Sequence, residues 1–157
     1  MRTKYDGIEY HFFWNGPFSN WYFSEFVIDN IKFIGGEQYM MYQKAIVFND
    51  TDTAEKIMEE IFPNKQKSLG RLVKNYDDKV WAEKRYELVK KGLREKFNQN
   101  QSLKNKLKSY QGCIFVEASP YDRIWGIGFY DDVALQHIDE WGQNLLGKIL
   151  TELSNEL

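Results

Sequence analysis

Cys113–Val116 is an isolated apolar run between helical stretches, and it constrains the fold more than any other segment. A short continuous run of this kind reads as a buried strand. It leads into Glu117-Ala-Ser-Pro-Tyr-Asp122-Arg-Ile-Trp125-Gly126-Ile-Gly128, a Pro-containing turn with two carboxylates and one Arg, then a Trp with two glycines. Core packing does not require that order. A strand end is a rigid place from which to present polar groups. Trp offers a flat surface to a ring, and Gly lets a backbone approach a ligand closely. The segment therefore reads as a site built on a fold element.

The elements around it follow from local signals. Tyr10–Trp14 reads as an aromatic-rich strand, punctuated by Asn15-Gly16-Pro17. Phe26–Ile34 reads as a hairpin about Asp29-Asn30, both of which tolerate positive φ. A helix from Glu37 to Phe48 follows Gly35-Gly36. Asp52 or Thr53 is expected to cap a second helix through Ile61, stopped by Pro63. Gly70-Arg71 falls in a short helical or looped piece. Asp77 or Asp78 caps the longest helix, which reaches Phe97 and carries Trp81, Leu88 and Gly92 at helical spacing. Ser102 caps a short helix to Tyr110. Beyond the strand come a polar stretch, Tyr130–Glu140, and a last helix over Asn144–Leu153. No repeat or linker interrupts this. The expectation is an α+β fold, one domain over residues 1–157, mostly helical around a small sheet.

Composition narrows function. A length of 157 residues supports one domain with a real core. A net charge of −2 excludes a broad basic field that recruits nucleic acid, although a local pocket still admits a single base. Aromatics at 17% exceed what a core needs, so some rings are expected to line a pocket. The lone Cys113 reads as a buried thiol and fits a reducing compartment. No signal peptide or membrane span is visible, so the expected location is cytoplasmic.

Glu37 opens a helix, and Lys44 lies seven residues on, nearly on the same face and roughly 10 Å along the axis. A carboxylate and an amine so placed can grip two ends of one ligand. The plainer account makes Glu37 a first-turn acid favoured by the helix dipole and Lys44 a solvated cation. Glu37 and Asp122 together offer the carboxylate pair that glycoside cleavage uses. Trp81 and Trp125 can sandwich a base, although an apolar residue in the first turn of a long helix more commonly packs in the core. Gly126-Ile-Gly128 lacks the third glycine and the context of a dinucleotide fingerprint. Asn20, in Phe18-Ser19-Asn20-Trp21, suits either a turn or a sugar hydroxyl. His11 and His137 are too isolated for a metal site, and no metal or cofactor is called for.

Taken together, these residues resemble the NADAR family, the YbiA-like N-glycosidases, over nearly the whole chain. Phe18-Ser19-Asn20 resembles its Ser-Asn-Phe element. Glu37-Gln38-Tyr39 with Gln43-Lys44-Ala45 resembles its Glu-His/Gln-Tyr helix. Gly70-Arg71, Trp81 and Lys96-Phe97 fit the middle, Glu117-Ala-Ser…Asp122-x-x-Trp125-Gly126-x-Gly128 its most characteristic segment, and Asn144-Leu-Leu-Gly147 its closing helix. One departure is Ser154, near where the family often has Arg. The resemblance implies a hydrolase that splits the bond between a ribosyl carbon and a nitrogen base, in riboflavin-pathway phosphoribosylamino-pyrimidines or in ADP-ribosylated guanine. It implies Glu37, Lys44 and Asp122 as catalytic residues. It implies Asn20, Arg71, Trp81, Trp125, Gly126 and Gly128 as substrate contacts. The partner is then a small nucleotide or a modified guanine, with no membrane. The alternative is a module that binds ADP-ribose or a related nucleotide without cleaving it.

Overall fold

The computed structural model describes every residue from Met1 to Leu157. In chain order the elements are β1 (Thr3–Tyr5), β2 (Ile8–Phe13), β3 (Phe26–Ile28), β4 (Ile31–Phe33), α1 (Gly36–Val47), α2 (Thr51–Glu59), α3 (Pro63–Gly70), α4 (Asp78–Asn98), α5 (Gln101–Ser109), β5 (Ile114–Glu117), α6 (Asp131–Ala134), a 3₁₀ segment (Leu135–Glu140) and α7 (Leu145–Glu156). The class is α+β and mostly helical, as the sequence predicts. Packing divides the chain into two compact units, Met1–Ser19 with Gln101–Leu157, and Asn20–Asn100. The first unit is completed only by chain that returns after the second, which is why no linker marks a boundary in the sequence.

In the first unit the isolated apolar run becomes β5, and it pairs in parallel with β2, Tyr10 opposite Ile114 and Phe13 opposite Glu117. β1 adds antiparallel to the other edge of β2. It was not legible in the sequence, because Thr3-Lys4-Tyr5 is polar and an edge strand has no need of an apolar face. Tyr10, Val116, Ala118, Ile127 and Ala134 form the core on one side of this sheet. The polar stretch 130–140, to which the sequence reading gives no element, holds α6 and the 3₁₀ segment; Leu135, Ile138 and Trp141 anchor it against that core. Cys113 is buried, as expected.

Asn144 ties β5 to α7. It sits in the left-handed region with φ 52°, accepts a hydrogen bond from the Glu117 N–H at 3.0 Å and donates from Nδ2 to the Phe115 carbonyl at 3.0 Å. A short polar side chain is the residue type that combines that backbone conformation with a bridging amide. Ser154, where the family pattern favours Arg, is buried and donates to the Thr151 carbonyl at 2.7 Å within its own helix.

The second unit is built around α1, with α2, α3 and α4 packed against it. The β3–β4 hairpin turns through Asp29 (φ 52°) and Asn30 (φ 66°), the left-handed pair that a two-residue turn demands. Phe26 and Phe33 stack their rings in its core, and Tyr39 meets Phe33 edge-on. Two boundaries differ from the sequence expectation. The cap of α2 is Asp50, not Asp52 or Thr53; Asp50 accepts the Thr53 N–H at 3.1 Å and, through its other oxygen, the Lys74 N–H at 2.9 Å. A hydrogen bond from the Thr53 side chain, together with those two N–H bonds, holds its carboxyl down to about 2. Pro63 starts α3 as well as following α2, because the first helical turn tolerates a missing N–H.

Candidate functional site

Asn20, Glu37, Lys44, Arg71 and Trp81 belong to the Asn20–Asn100 unit, and the way α1 is packed brings most of them near one another. Gly35 and Gly36 precede the first turn of α1. A side chain on Gly36 would lie 2.5 Å from Asn20 Oδ1 and 3.2 Å from Leu93, so only glycine admits the Asn20 loop there. The loop lies against the helix start, and the Glu37 N–H donates to the Asn20 carbonyl at 2.8 Å. Residues seventeen apart in sequence thus become neighbours. Glu37 is buried. Asn20 is buried too, and its Oδ1 has no hydrogen-bond donor in the protein. A buried acceptor left without a donor is costly unless solvent or a ligand supplies one.

Lys44 lies two turns along α1 and is half-buried, its Nζ 4.4 Å from the centre of the Tyr76 ring. Burial lowers its pKa; the Glu37 carboxylate opposes this, and the Arg71 guanidinium assists it. Arg71 follows the last residue of α3, and α3 reaches α1 closely because Gly70 meets Met41 without a side chain of its own. Trp81 is 5% exposed and offers a ligand no open face. Sequence reasoning passed over Tyr76, which joins this group: its hydroxyl donates to Asp78 at 2.8 Å, and its ring lies under the Lys44 ammonium.

Asp122, Trp125, Gly126 and Gly128 belong to the other unit, in the loop that leaves β5. Asp122 Oδ1 accepts the N–H groups of Ile124 and Trp125, each at 2.8 Å. One oxygen of this carboxylate therefore organises the loop, and only Oδ2 is left for other work. Gly126 has a packing reason: a side chain there would lie 2.9 Å from the Glu117 carbonyl and 3.0 Å from the Asp122 carbonyl. Gly128 has a backbone reason, a φ of 81°. Trp125 is half-buried.

Lys96 on α4 is fully buried, and burial pulls its ammonium down to about 7. Above that pH the folded chain has released a proton that the unfolded chain keeps up to the ordinary lysine value. Stability therefore rises with pH from about 7, by up to about 1.4 kcal/mol per pH unit. The urea midpoint is expected to climb from pH 7 to 8.5 in the wild type and to climb less in Lys96→Met; equal slopes in the two proteins would refute this.

The NADAR domain family matches residues 12–157. The chain is 38% identical over 146 residues to N-glycosidase R617 of Acanthamoeba polyphaga mimivirus, a match covering 88% of this chain and 86% of that protein. It is 40% identical over 133 residues to Protein irg-1 of Caenorhabditis elegans, across 81% of this chain and 62% of that protein, less than two thirds of its length. Among solved structures, the NMR structure of the Escherichia coli protein YbiA aligns with a TM-score of 0.77 at 26% identity, covering 93% of this chain and 83% of that one.

Proposed function

Since the chain belongs to the NADAR domain family, we propose that the N-glycosidic bond it hydrolyses joins a ribosyl carbon to a nitrogen base, and that the residues around the start of α1 carry the reaction. The observation that carries this reading is the Asn20 loop folded on the first turn of α1. It sets a buried amide oxygen that lacks a donor at the first turn of the helix that carries the buried Glu37, with an amine of lowered pKa two turns on. A ribose provides the missing donors through its hydroxyls. Its anomeric carbon calls for a proton donor to the departing base and a nucleophile to replace it.

In this reading Glu37 protonates the leaving nitrogen or the ring oxygen. Lys44 captures the opened sugar as an imine, which water then hydrolyses. Arg71 meets a phosphate of the substrate, since its planar fork matches phosphate oxygens. The roles of Asp122, Trp125, Gly126 and Gly128 in this reading rest on the sequence motif; Trp81, buried with no open face, packs in the core. The substrate is a phosphoribosylamino-pyrimidine or an ADP-ribosylated guanine, met in the cytoplasm. No helix is long and apolar enough to cross a membrane.

Side-by-side assay of the two substrates distinguishes them. The expected result is release of free base from at least one, with kcat/KM differing by an order of magnitude or more between them. Binding of both without release of base would instead identify a nucleotide-binding module.

A further inference from the structure

Arg85 is, with Lys96, one of two buried basic side chains of the Asn20–Asn100 unit to which the reading above gives no task. It lies one turn after Trp81, on the face of α4 that also buries Val89, Gly92 and Leu93. That face packs on α1, where the Tyr39 hydroxyl donates to the Leu88 carbonyl at 3.0 Å. Arg85 is 8% exposed, and its Nε is buried with no hydrogen-bond partner. A guanidinium taken out of water costs free energy that only acceptors restore, and the fold leaves this N–H without one.

The surroundings say which ligand completes it. The charge on Arg85 acts at the Tyr76 hydroxyl, against the larger effects of burial and Asp78. The Tyr76 ring carries the Lys44 ammonium, and Arg71 acts on that ammonium in turn. Arg71 and Arg85 thus each act electrostatically on the Lys44–Tyr76 pair, which Asp78 and Glu37 also influence. Asp78 already accepts from Tyr76. An anion with several acceptor oxygens suits a guanidinium better than a neutral hydroxyl does.

We propose that Arg85 is a specificity-determining residue that binds a phosphate group on the ribosyl substrate, so that the phosphorylated ribosyl compound is accepted and its dephosphorylated counterpart is not. This rests on the ribosyl reading above and adds a residue to it. The buried Nε–H donates to a phosphate oxygen, and Arg71 serves the exposed side of the same anion or of a neighbouring phosphoryl group. Arg85 touches no reacting atom in this account. Its loss acts on KM, while kcat at saturation stays close to that of the wild type.

The test uses the full chain and ribose 5-phosphate, with ribose as control. In the wild type, ribose 5-phosphate is expected to move the Arg85 Nε–H proton resonance downfield in a ¹H–¹⁵N spectrum, as a new hydrogen bond does, and ribose is not. Arg85→Met keeps the bulk of the side chain and removes the charge. Its affinity for ribose 5-phosphate is expected to fall on the order of 10- to 100-fold, the range of a lost charge-assisted hydrogen bond. Arg85→Lys, with its charge kept and its fork lost, provides the second variant if the Met protein does not fold, and a fall of about tenfold is expected. An unmoved Nε–H resonance, or equal affinity in a folded variant, overturns the proposal and leaves Arg85 a packing residue. Failure of the N-glycosidase reading looks different: ribose 5-phosphate binding still depends on Arg85, while no base is released from any ribosyl compound.

Discussion

Glu37→Gln is expected to lose base release by roughly 10²- to 10⁴-fold, the contribution of a positioned acid or base. Glu37 is the buried carboxylate whose N–H is fixed by the Asn20 carbonyl at 2.8 Å. The substitution preserves the shape of the side chain and one acceptor oxygen while removing the exchangeable proton. The helix start stays in place, because the Asn20 loop is held by backbone and by the absence of a side chain at Gly36. Substrate affinity should therefore change by severalfold at most, so that the loss falls on kcat. Circular dichroism and a urea midpoint measured on the same preparation separate chemistry from folding. Turnover equal to that of the wild type would reduce Glu37 to a first-turn acid that complements the helix dipole.

The second large effect concerns Lys44. Borohydride added during turnover is expected to trap a covalent adduct on Lys44 whose mass is that of the ribosyl group, because reduction turns an imine into a stable amine. In the step proposed, the neutral amine attacks the anomeric carbon of the opened sugar. The bond to the base nitrogen breaks as that nitrogen takes a proton, and water then cleaves the lysine imine to restore the amine. The structure favours the required neutral form on balance, since burial lowers the pKa and Arg71 adds to the effect, with Glu37 opposing. Turnover should rise with pH through that lowered pKa. Replacing Arg71 with Met removes a neighbouring cation, raises the lysine pKa and moves the rising limb to higher pH. A Lys44→Arg protein that turns over normally, with no trapped mass in the wild type, would make Lys44 a fixed charge and return the chemistry to the carboxylates.

Local signals carried much of the fold. The Asp29-Asn30 turn and the limits of α1 and α4 follow from residue types with strong backbone preferences, and each lies within a few positions of where the sequence places it. The cap of α2 did not, because Asp50 is chosen partly by the distant Lys74 N–H, a partner no local window contains. β1 and α6 were hidden for the same kind of reason: their stability comes from the sheet and core they join, and each is too short to show a pattern of its own.

The site was legible as residue types, less so as roles. Glu37 and Lys44 stand out by helical spacing, but their link to Asn20 is a tertiary contact. Asp122 looked like a free carboxylate and spends one oxygen on its own loop, a common use of Asp in turns. Arg85 escaped notice between Lys84 and Tyr86, although a signal was present. It falls four residues after Trp81, so it is a cation on the apolar stripe of α4, where a surface charge does not belong.

The central claim is that this chain cleaves a ribosyl–nitrogen bond. Its most direct test is simultaneous quantification of free base and free ribosyl product released by the purified protein from a phosphoribosylamino-pyrimidine and from ADP-ribosylated guanine. The account predicts equimolar base and ribosyl product from at least one of them, accumulating to many times the protein concentration. Saturable binding of both substrates with no product beyond the uncatalysed background would contradict it.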